Sequence, residues 1–286
     1  MPERPAPTVR ARQLARELRR LREAAQLTGE AVAAHLGWSS AKVSRVETAR
    51  TPITVSDLRK LLDLYGAMDT DADRLVDLAR TSRERGWWDS YVGEAPSEFA
   101  TFLGLEAEAS SISSFNALVV PGLLQTEDYA RAMLKSLLLM PPREVERLVE
   151  IRRIRQDRIY RADKAPLILH AVLDESILRR QIGGPDVLRD QLKHLVSAAT
   201  DLHNVELQVL PHSAGAHPAV TGTFAILAFP HSGDPEIVSI ELLDSHLFVE
   251  GVKAVYRYTL VFEELIAKAF DPADSLAFIR RIIKDL

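Results

Sequence analysis

The sequence predicts two unlike domains: a mainly α domain of five helices, followed by an α+β domain in which helices flank a mixed sheet. Helical segments with a 3.6-residue apolar period fill residues 9–82. Short apolar runs of strand length, bounded by Pro, Gly, Asp or Asn, follow beyond residue 165. We expect a flexible arm at residues 1–8, the helical domain at 9–82, a connector at 83–96 and the second domain at 97–286.

Composition excludes several classes of protein. The 286-residue chain is long enough for two or three domains, and it is 47% hydrophobic. Because it has no cysteine, it has no disulfide bond, thiol nucleophile or cysteine-ligated zinc ion. No apolar run approaches the roughly 18 residues that span a bilayer, and the Pro- and Arg-rich N-terminus is no secretory signal. We expect a cytoplasmic protein with no membrane partner.

Charge is divided unevenly along the chain. Residues 1–60 hold 12 Lys and Arg against 6 Asp and Glu, a net charge of +6. The whole chain carries −4, so the remainder carries −10. A basic N-terminal part on an acidic body is typical of a DNA-binding domain joined to a domain that does not bind DNA.

Residues 28–50 predict two short helices joined by a tight turn. Thr28 and Ser39 can cap these helices because their side-chain oxygens accept orphan backbone N–H groups. Gly37 supplies the positive φ that ends the first of them. The apolar positions that face a common core are Val32, Leu36, Val43 and Val46. This is the pattern of a helix-turn-helix, whose second helix, here about Ser39 to Thr48, enters the DNA major groove.

Three further helices complete the first domain. Helix one is expected from about Val9 to Ala25, with an apolar stripe of Leu14, Leu18 and Leu21. The capping box Thr54-x-x-Asp57 begins helix four, which Gly66 ends. Helix five is expected from about Thr70 to Gly86.

Residues 9 to about 65 resemble the phage-repressor-like (XRE-type) helix-turn-helix, since the capping, packing and turn positions match together. The alternative is a helical hairpin with no role in DNA binding. The resemblance implies base contacts from Ser40, Ala41 and Arg45, with Arg45 the best placed to bond a guanine. Backbone or phosphate contacts are expected from the rest of the interface, namely Thr28, Gly29, Ser39, Lys42, Ser44, Arg50 and Thr51.

The resemblance also implies an ion pair between Arg22 and Glu47 that fixes the angle between helices one and three. The alternative is two solvated charges. Two positions depart from the family pattern: Gly29 stands where glutamine is frequent, and Ala49 where glycine is frequent. Alanine carries a Cβ penalty in a left-handed cap, so the recognition helix (about Ser39 to Thr48) is expected to run on or to end differently from that of other members.

The second domain carries a further resemblance. Residues 120–130 (VPGLLQTEDYA), 174–180 with Gly183-Gly184, 208–218 and 271–275 are similar to the C-terminal domain of WhiJ-like, antitoxin-like transcriptional regulators of actinomycetes. Members of that group are regarded as DNA-binding regulators, often encoded beside a small partner protein. The resemblance implies a domain for dimerisation and for binding a partner or effector.

Helices and strands alternate irregularly in this domain. Helices are expected at about 97–110, 126–138, 142–159, 185–199, 251–269 and 272–284, and strands at about 166–173, 205–210, 223–229 and 236–242. The helix between the first two strands predicts a βαβ-like unit. A basic face of Arg152, Arg153, Arg155 and Arg158 on the helix at 142–159 is expected to be solvated, or to bind an acidic partner.

The polar residues most capable of chemistry are Glu175, His212, Ser213, His217 and Glu241. The two histidines lie on a Gly-containing loop that ends at Pro218, so they are not a helical metal pair, and no third ligand is evident. There is no Gly-x-Ser-x-Gly elbow and no Walker loop. The loop is either a structural turn or, with Glu175, His212, Ser213 and His217, the mouth of an effector pocket. We expect no catalysis, metal or cofactor.

Together these patterns predict a sequence-specific transcriptional regulator, a homodimer that binds double-stranded DNA at a near-palindrome in the cytoplasm, associated with the nucleoid. An antitoxin-like protein that sequesters a small protein encoded nearby and autoregulates its operon is the alternative. A hydrolase tethered to DNA is a third hypothesis.

Overall fold

The computed structural model describes residues 9–81, 97–137, 140–160, 165–230, 235–243 and 245–286. The expected arm (residues 1–8) and connector (83–96), including Trp87 and Trp88, lie outside the described residues. The chain divides into two compact units, Met1–Glu108 and Ala109–Leu286. No described helix combines the length and the apolar character needed to cross a membrane.

The first unit is helical throughout its described part. Its helices are α1 (Val9–Ala24), α2 (Gly29–Leu36), α3 (Ser40–Glu47), α4 (Val55–Tyr65), α5 (Asp69–Thr81) and α6 (Ser97–Glu108). The predicted apolar faces of α1 to α5 pack on one core, in which Leu18, Val32 and Leu58 are fully buried. The Thr54 hydroxyl accepts a hydrogen bond from the Asp57 N–H at 3.0 Å, and Gly66 ends α4 with a φ of 67°.

The second unit combines helices with one sheet. Its helices are α7 (Glu127–Lys135), α8 (Pro142–Tyr160), α9 (Glu175–Arg179), α10 (Pro185–Asp201), α11 (Val252–Lys268) and α12 (Pro272–Asp285), with 3₁₀ turns at Gly122–Leu124 and His212–Ala214. Its strands are β1 (Ser111–Asn116), β2 (Ile168–Asp174), β3 (Val205–Leu210), β4 (Phe224–Ala228), β5 (Ile237–Glu241) and β6 (His246–Val249).

The six strands form a mixed sheet in the order β3-β2-β1-β4-β5-β6. Strands β1, β2 and β3 are parallel, with Ile112 opposite Leu169 and Ala171 opposite Leu207, whereas β4, β5 and β6 continue the sheet antiparallel. The predicted fold class is therefore confirmed, and so is the βαβ unit, because α10 connects the parallel strands β2 and β3.

Helix α11 covers one face of this sheet. Its Val255, Phe262 and Leu265 pack in one buried cluster with strand residues that include Phe115, Val172 and Val238. At the β3 edge, α12 packs against both β3 and α10. Successive side chains of a strand point to opposite faces, so Leu169, Ala171 and Leu173 of β2 point away from α11. They are buried as well, so both faces of the sheet are covered at this strand.

Three features of the second unit differ from the sequence prediction. Strands β1 and β6 and the short helix α9 were not predicted. The basic face of α8 is largely turned inward rather than solvated: Arg155 is buried, Arg152 donates to Gln125 Oε1 at 3.0 Å, and Arg158 donates to the Ala109 carbonyl at 2.5 Å. Of the four arginines on this face, only Arg153 is well exposed, so the face offers one arginine to the acidic partner considered above.

Candidate nucleic-acid interface

The helix-turn-helix is built by local capping. The Thr28 hydroxyl accepts from the Ala31 N–H at 3.1 Å, and the Ser39 hydroxyl accepts from the Lys42 N–H at 3.2 Å. Between the two helices, Gly37 adopts a φ of 66° and returns its N–H to the Ala33 carbonyl. These contacts satisfy orphan backbone groups at both helix starts and at the turn, so the angle between α2 and α3 is specified by the sequence itself.

A bidentate ion pair fixes α3 against α1. Arg22 Nε lies 2.7 Å from Glu47 Oε1, and Arg22 Nη2 lies 2.9 Å from Glu47 Oε2. The third arm of the guanidinium donates to the Leu27 carbonyl at 2.8 Å, in the turn before α2. The side chains of Arg22 and Glu47 are only 14% and 9% exposed, respectively. One arginine therefore holds the end of α1, the start of α2 and the end of α3 together.

The outer side of α3 presents a small polar surface. Ser40, Ala41, Ser44 and Arg45 are all exposed. Within the described part of the chain, the Arg45 guanidinium makes no hydrogen bond or ion pair, so its planar fork of donors is available to a base edge. A guanidinium without other partners is the group that makes bidentate contacts to guanine O6 and N7.

Beside this surface, α1, α2 and α3 enclose a shallow groove of about 390 Å³, whose lining includes Arg19, Thr28, Gly29, Ser40 and Ser44. The first N–H groups of α2 lie at its rim, and the positive end of a helix dipole attracts a phosphate. Arg19 adds a cation, although its Nε is bound to Glu23 at 2.8 Å. The groove opens beside the outer surface of α3, and Glu30 and Glu47 also line it.

Two of the residues expected to contact the DNA backbone are engaged elsewhere. Lys42 Nζ lies 2.8 Å from Asp57 Oδ2 and 3.7 Å from the centre of the Trp38 ring. The Thr51 hydroxyl is buried without a hydrogen-bond partner among the described residues. The backbone N–H of Thr51 donates to the Arg45 carbonyl at 3.2 Å. The structure therefore opposes a phosphate contact from Thr51, and Lys42 fastens α3 to α4. Arg50 remains exposed.

The two departures from the family pattern have different structural consequences. Ala49 adopts a φ of 55°, the left-handed conformation for which glycine is favoured, so the end of α3 is strained. Gly29 has no such requirement, because a Cβ there would meet only Val43 Cγ1, at an ordinary 3.9 Å. Ser39 is exposed, and its hydroxyl caps α3 as the Thr28 hydroxyl caps α2.

The residues of the candidate effector pocket lie near the carboxyl ends of the parallel strands, where His212 Nδ1 comes within 3.9 Å of Glu175 Oε2. Glu175 is buried, where it accepts from Arg179 Nε at 2.8 Å and from the His212 N–H at 2.9 Å. Burial raises the pKa of this carboxyl, but the hydrogen bonds from His212 and Arg179 outweigh it and hold the pKa below its ordinary value. Glu175 thus clamps the β3 loop to α9.

The other three residues have unlike surroundings. The His212 side chain is 58% exposed, with Nε2 3.7 Å from Asp174 Oδ1, and Ser213 is exposed beside it. The His217 ring instead packs edge-on against Phe115, with centroids 5.4 Å apart. Glu241 lies on β5, which β2, β1 and β4 separate from β3. Among the described residues, no group of three or more His, Asp or Glu could hold a metal ion.

The motif at residues 120–130 has a structural role that the sequence reasoning missed. Gln125 Nε2 donates to the Val120 carbonyl at 2.7 Å, and Gln191 donates to the Leu124 carbonyl at 2.7 Å and accepts from the Thr126 N–H at 2.8 Å. Gln156 donates to the Gln125 carbonyl at 2.6 Å. Buried amides therefore satisfy an irregular loop that passes through the core, as buried backbone requires. The available signal was Gln125, which directly follows the apolar run VPGLL.

Comparison with protein families agrees with this division. Residues 13–75 match a model described as a helix-turn-helix domain, in agreement with the expected phage-repressor-like domain. Residues 99–281 match a model described as a domain of unknown function, DUF5753. No curated protein and no solved structure matched the chain. The boundary expected at residue 97 stays a prediction, because the family match begins at residue 99 and the compact units divide after Glu108.

Proposed function

The chain belongs to the DUF5753 family and carries a helix-turn-helix DNA-binding domain, and from this premise we propose that it is a sequence-specific transcriptional regulator. The observation that carries the proposal is the outer surface of α3, where Arg45 is exposed and unengaged on a helix that the Arg22–Glu47 pair holds in place. A helix fixed in this way can enter a major groove without first being ordered.

Within this proposal the contacts have separate roles. Arg45 specifies a guanine, and Ser40, Ala41 and Ser44 contact neighbouring base edges or the adjoining backbone. Phosphates are bound by Thr28 and Gly29 at the start of α2, and by Arg50 after α3. Ser39 at the start of α3 is also placed to donate its O–H to a phosphate, as Thr28 is at the start of α2, whereas Lys42 and Thr51 support the position of α3 rather than contacting DNA. These assignments rest on exposure and on hydrogen-bond partners.

The test begins with selection of bound sequences from a random duplex library, followed by titration of the selected site and its single-base variants. Arg45→Ala should lose preference at one base pair per half-site, by about 5- to 150-fold, the equivalent of about 1–3 kcal/mol. Arg50→Ala should instead weaken all sequences alike and reduce the salt slope by about one.

Arg80→Ala is the matched control for this experiment, because Arg80 is an exposed arginine of α5 that is paired with Asp77 at 3.2 Å and has no proposed DNA contact. It should leave affinity and preference unchanged. An Arg45→Ala protein that keeps the full wild-type preference would contradict the assignment of Arg45. A wild-type chain that selects no sequence would overturn the proposed function.

We further propose that the regulator acts as a homodimer on two half-sites about 34 Å apart, in the cytoplasm and on the nucleoid. An effector at the carboxyl edge of the sheet would contact the His212 ring and the Ser213 hydroxyl, since Glu175 and His217 are engaged within the protein. The antitoxin-like alternative, and with it the resemblance to WhiJ-like regulators, predicts that a small protein co-purifies with the second unit from the native host in a fixed ratio.

A further inference from the structure

Helix α11 has an apolar stripe on the side that faces away from the sheet. Val252, Tyr256 and Leu260, spaced four residues apart, are 79%, 59% and 45% exposed. The opposite side of the same helix supplies Val255, Phe262 and Leu265 to the core, so α11 is apolar on two sides. A continuous row of large apolar side chains on a solvent-facing helix is typical of a protein–protein contact.

The charges beside the stripe run in an unusual order. The first turns carry Lys253 and Arg257, and the last turns carry Glu263 and Glu264. The helix dipole disfavours this order, because cations lie near its positive end and anions near its negative end. Lys253 and Arg257 have no ion-pair partner among the described residues, and Glu264 has only an exposed contact with Lys268 at 3.6 Å.

The same order becomes favourable when two copies of α11 pack antiparallel. Lys253 and Glu264 are eleven residues apart, about three helical turns, and therefore lie on the same flank of the helix. A two-fold axis near residue 258 places Tyr256 against Leu260 of the copy. It also brings Lys253 beside Glu264 of the copy, twice per dimer. The surface is complementary to itself, as an isologous interface must be.

We infer that α11 is the homodimerisation helix of this protein, packed antiparallel on α11 of a second copy through Tyr256 and Leu260 at the centre, with Val252 at each end of the contact. The inference rests on the proposed homodimer and names the surface that forms it.

The test uses charge exchange in the full chain, measured by sedimentation velocity over a range of concentrations. Lys253→Glu and Glu264→Lys should each weaken self-association by at least about tenfold, because each turns two attractive contacts into two repulsive ones. An equimolar mixture of these two variants should recover dimers, since each chain then offers the charge that the other lacks. Tyr256→Asp should give monomers, whether it is measured alone or mixed with another variant.

Lys193→Glu, an equal charge change on α10, and Val220→Asp, an exposed apolar position outside α11, are the controls and should dimerise like the wild type. Circular dichroism on each variant separates loss of dimers from loss of fold, and recovery in the mixture proves that both folds are intact. A wild-type chain that is monomeric at about 50 μM, or single variants that dimerise normally, would overturn the inference.

Failure of this inference can be distinguished from failure of the proposed function. The α11 variants keep Arg45 and the whole surface of α3, so they should still bind one half-site with wild-type preference while losing the tighter binding to two half-sites. Dimers that dissociate as expected in a protein that selects no DNA sequence would leave the inference standing and remove the function. If the α11 variants remained dimers and still bound DNA selectively, the proposed function would stand and the inference about α11 would be overturned.

Discussion

The ion pair between Arg22 and Glu47 should be the most costly polar contact to break in the first unit. Glu47→Ala removes both carboxylate contacts, at 2.7 and 2.9 Å, and leaves the guanidinium with the Leu27 carbonyl. Breaking a fully buried pair costs about 3–5 kcal/mol, because the remaining charge stays desolvated. Both residues line the groove beside α3, which admits some water, so we expect a loss at the lower end, about 3 kcal/mol.

Hydrogen exchange measured by mass spectrometry on the full chain suits this prediction, because a chain with two units need not unfold in one step. A loss of about 3 kcal/mol corresponds to exchange roughly 150-fold faster in the core peptides of α1 and α3. Peptides from the β-sheet of the second unit should be unchanged and act as the internal control. In a thermal scan the first unit should melt about 12–24 °C earlier.

A double variant separates the charge from the packing. Arg22→Met combined with Glu47→Leu replaces the pair by apolar side chains of similar volume, which is often neutral or stabilising. We expect the double variant to return to within about 1 kcal/mol of the wild type. A single Glu47→Ala variant within about 0.5 kcal/mol of the wild type, or a double variant worse than the single, would show that solvent compensates the charge and that the pair does not fix α3.

Two other changes have opposite expected signs. Ala49→Gly should stabilise the first unit by about 0.5–1 kcal/mol, because alanine at a φ of 55° pays a Cβ penalty that glycine avoids; greater protection of α3 in hydrogen exchange would show it, and a loss would refute it. Burial lowers the pKa of His194, whose Nε2 has no hydrogen-bond partner among the described residues, so the unfolded chain binds the proton more readily. The stability of the second unit should therefore fall as the pH drops below about 6.5. In a plot of melting temperature against pH, His194→Gln should flatten the slope below this pH. An unchanged slope would show that other groups cause the loss of stability.

The sequence predicted what local chemistry determines. Thr28, Ser39 and Gly37 act within three or four residues of themselves, and each has the conformation that its residue type favours. Strand β1 was missed because its sequence, SISSFN, has three serines and no apolar alternation. It is nevertheless central in the sheet, and its buried Asn116 donates to Ser114 at 3.0 Å. Such a strand is specified by its neighbours, β2 and β4, which lie far away in the sequence.

The candidate interface shows the same limit. Spacing and resemblance identified Arg22, Glu47 and the exposed surface of α3, because these depend on a short segment. The positions of Lys42 and Thr51 depend instead on how α4 follows the turn, since Asp57 of α4 captures the lysine. The basic face of α8 was misjudged for a similar reason: the loop at residues 120–130 docks on it through Gln125 and Gln156.

The proposed dimer would supply selectivity that the proposed DNA contacts of one copy do not. With Lys42 bound to Asp57 and the Thr51 hydroxyl buried, Arg45 is the residue on the outer surface of α3 best able to discriminate, and it addresses a single base pair. One such contact supplies about 1–3 kcal/mol of discrimination, far below the roughly 4–10 kcal/mol that separates specific from non-specific binding. Joining two copies makes the second contact intramolecular and adds its energy without its full entropic cost. Selectivity should therefore depend on α11 as strongly as on α3, and the Tyr256→Asp variant, with every DNA contact intact, should select no operator of two half-sites.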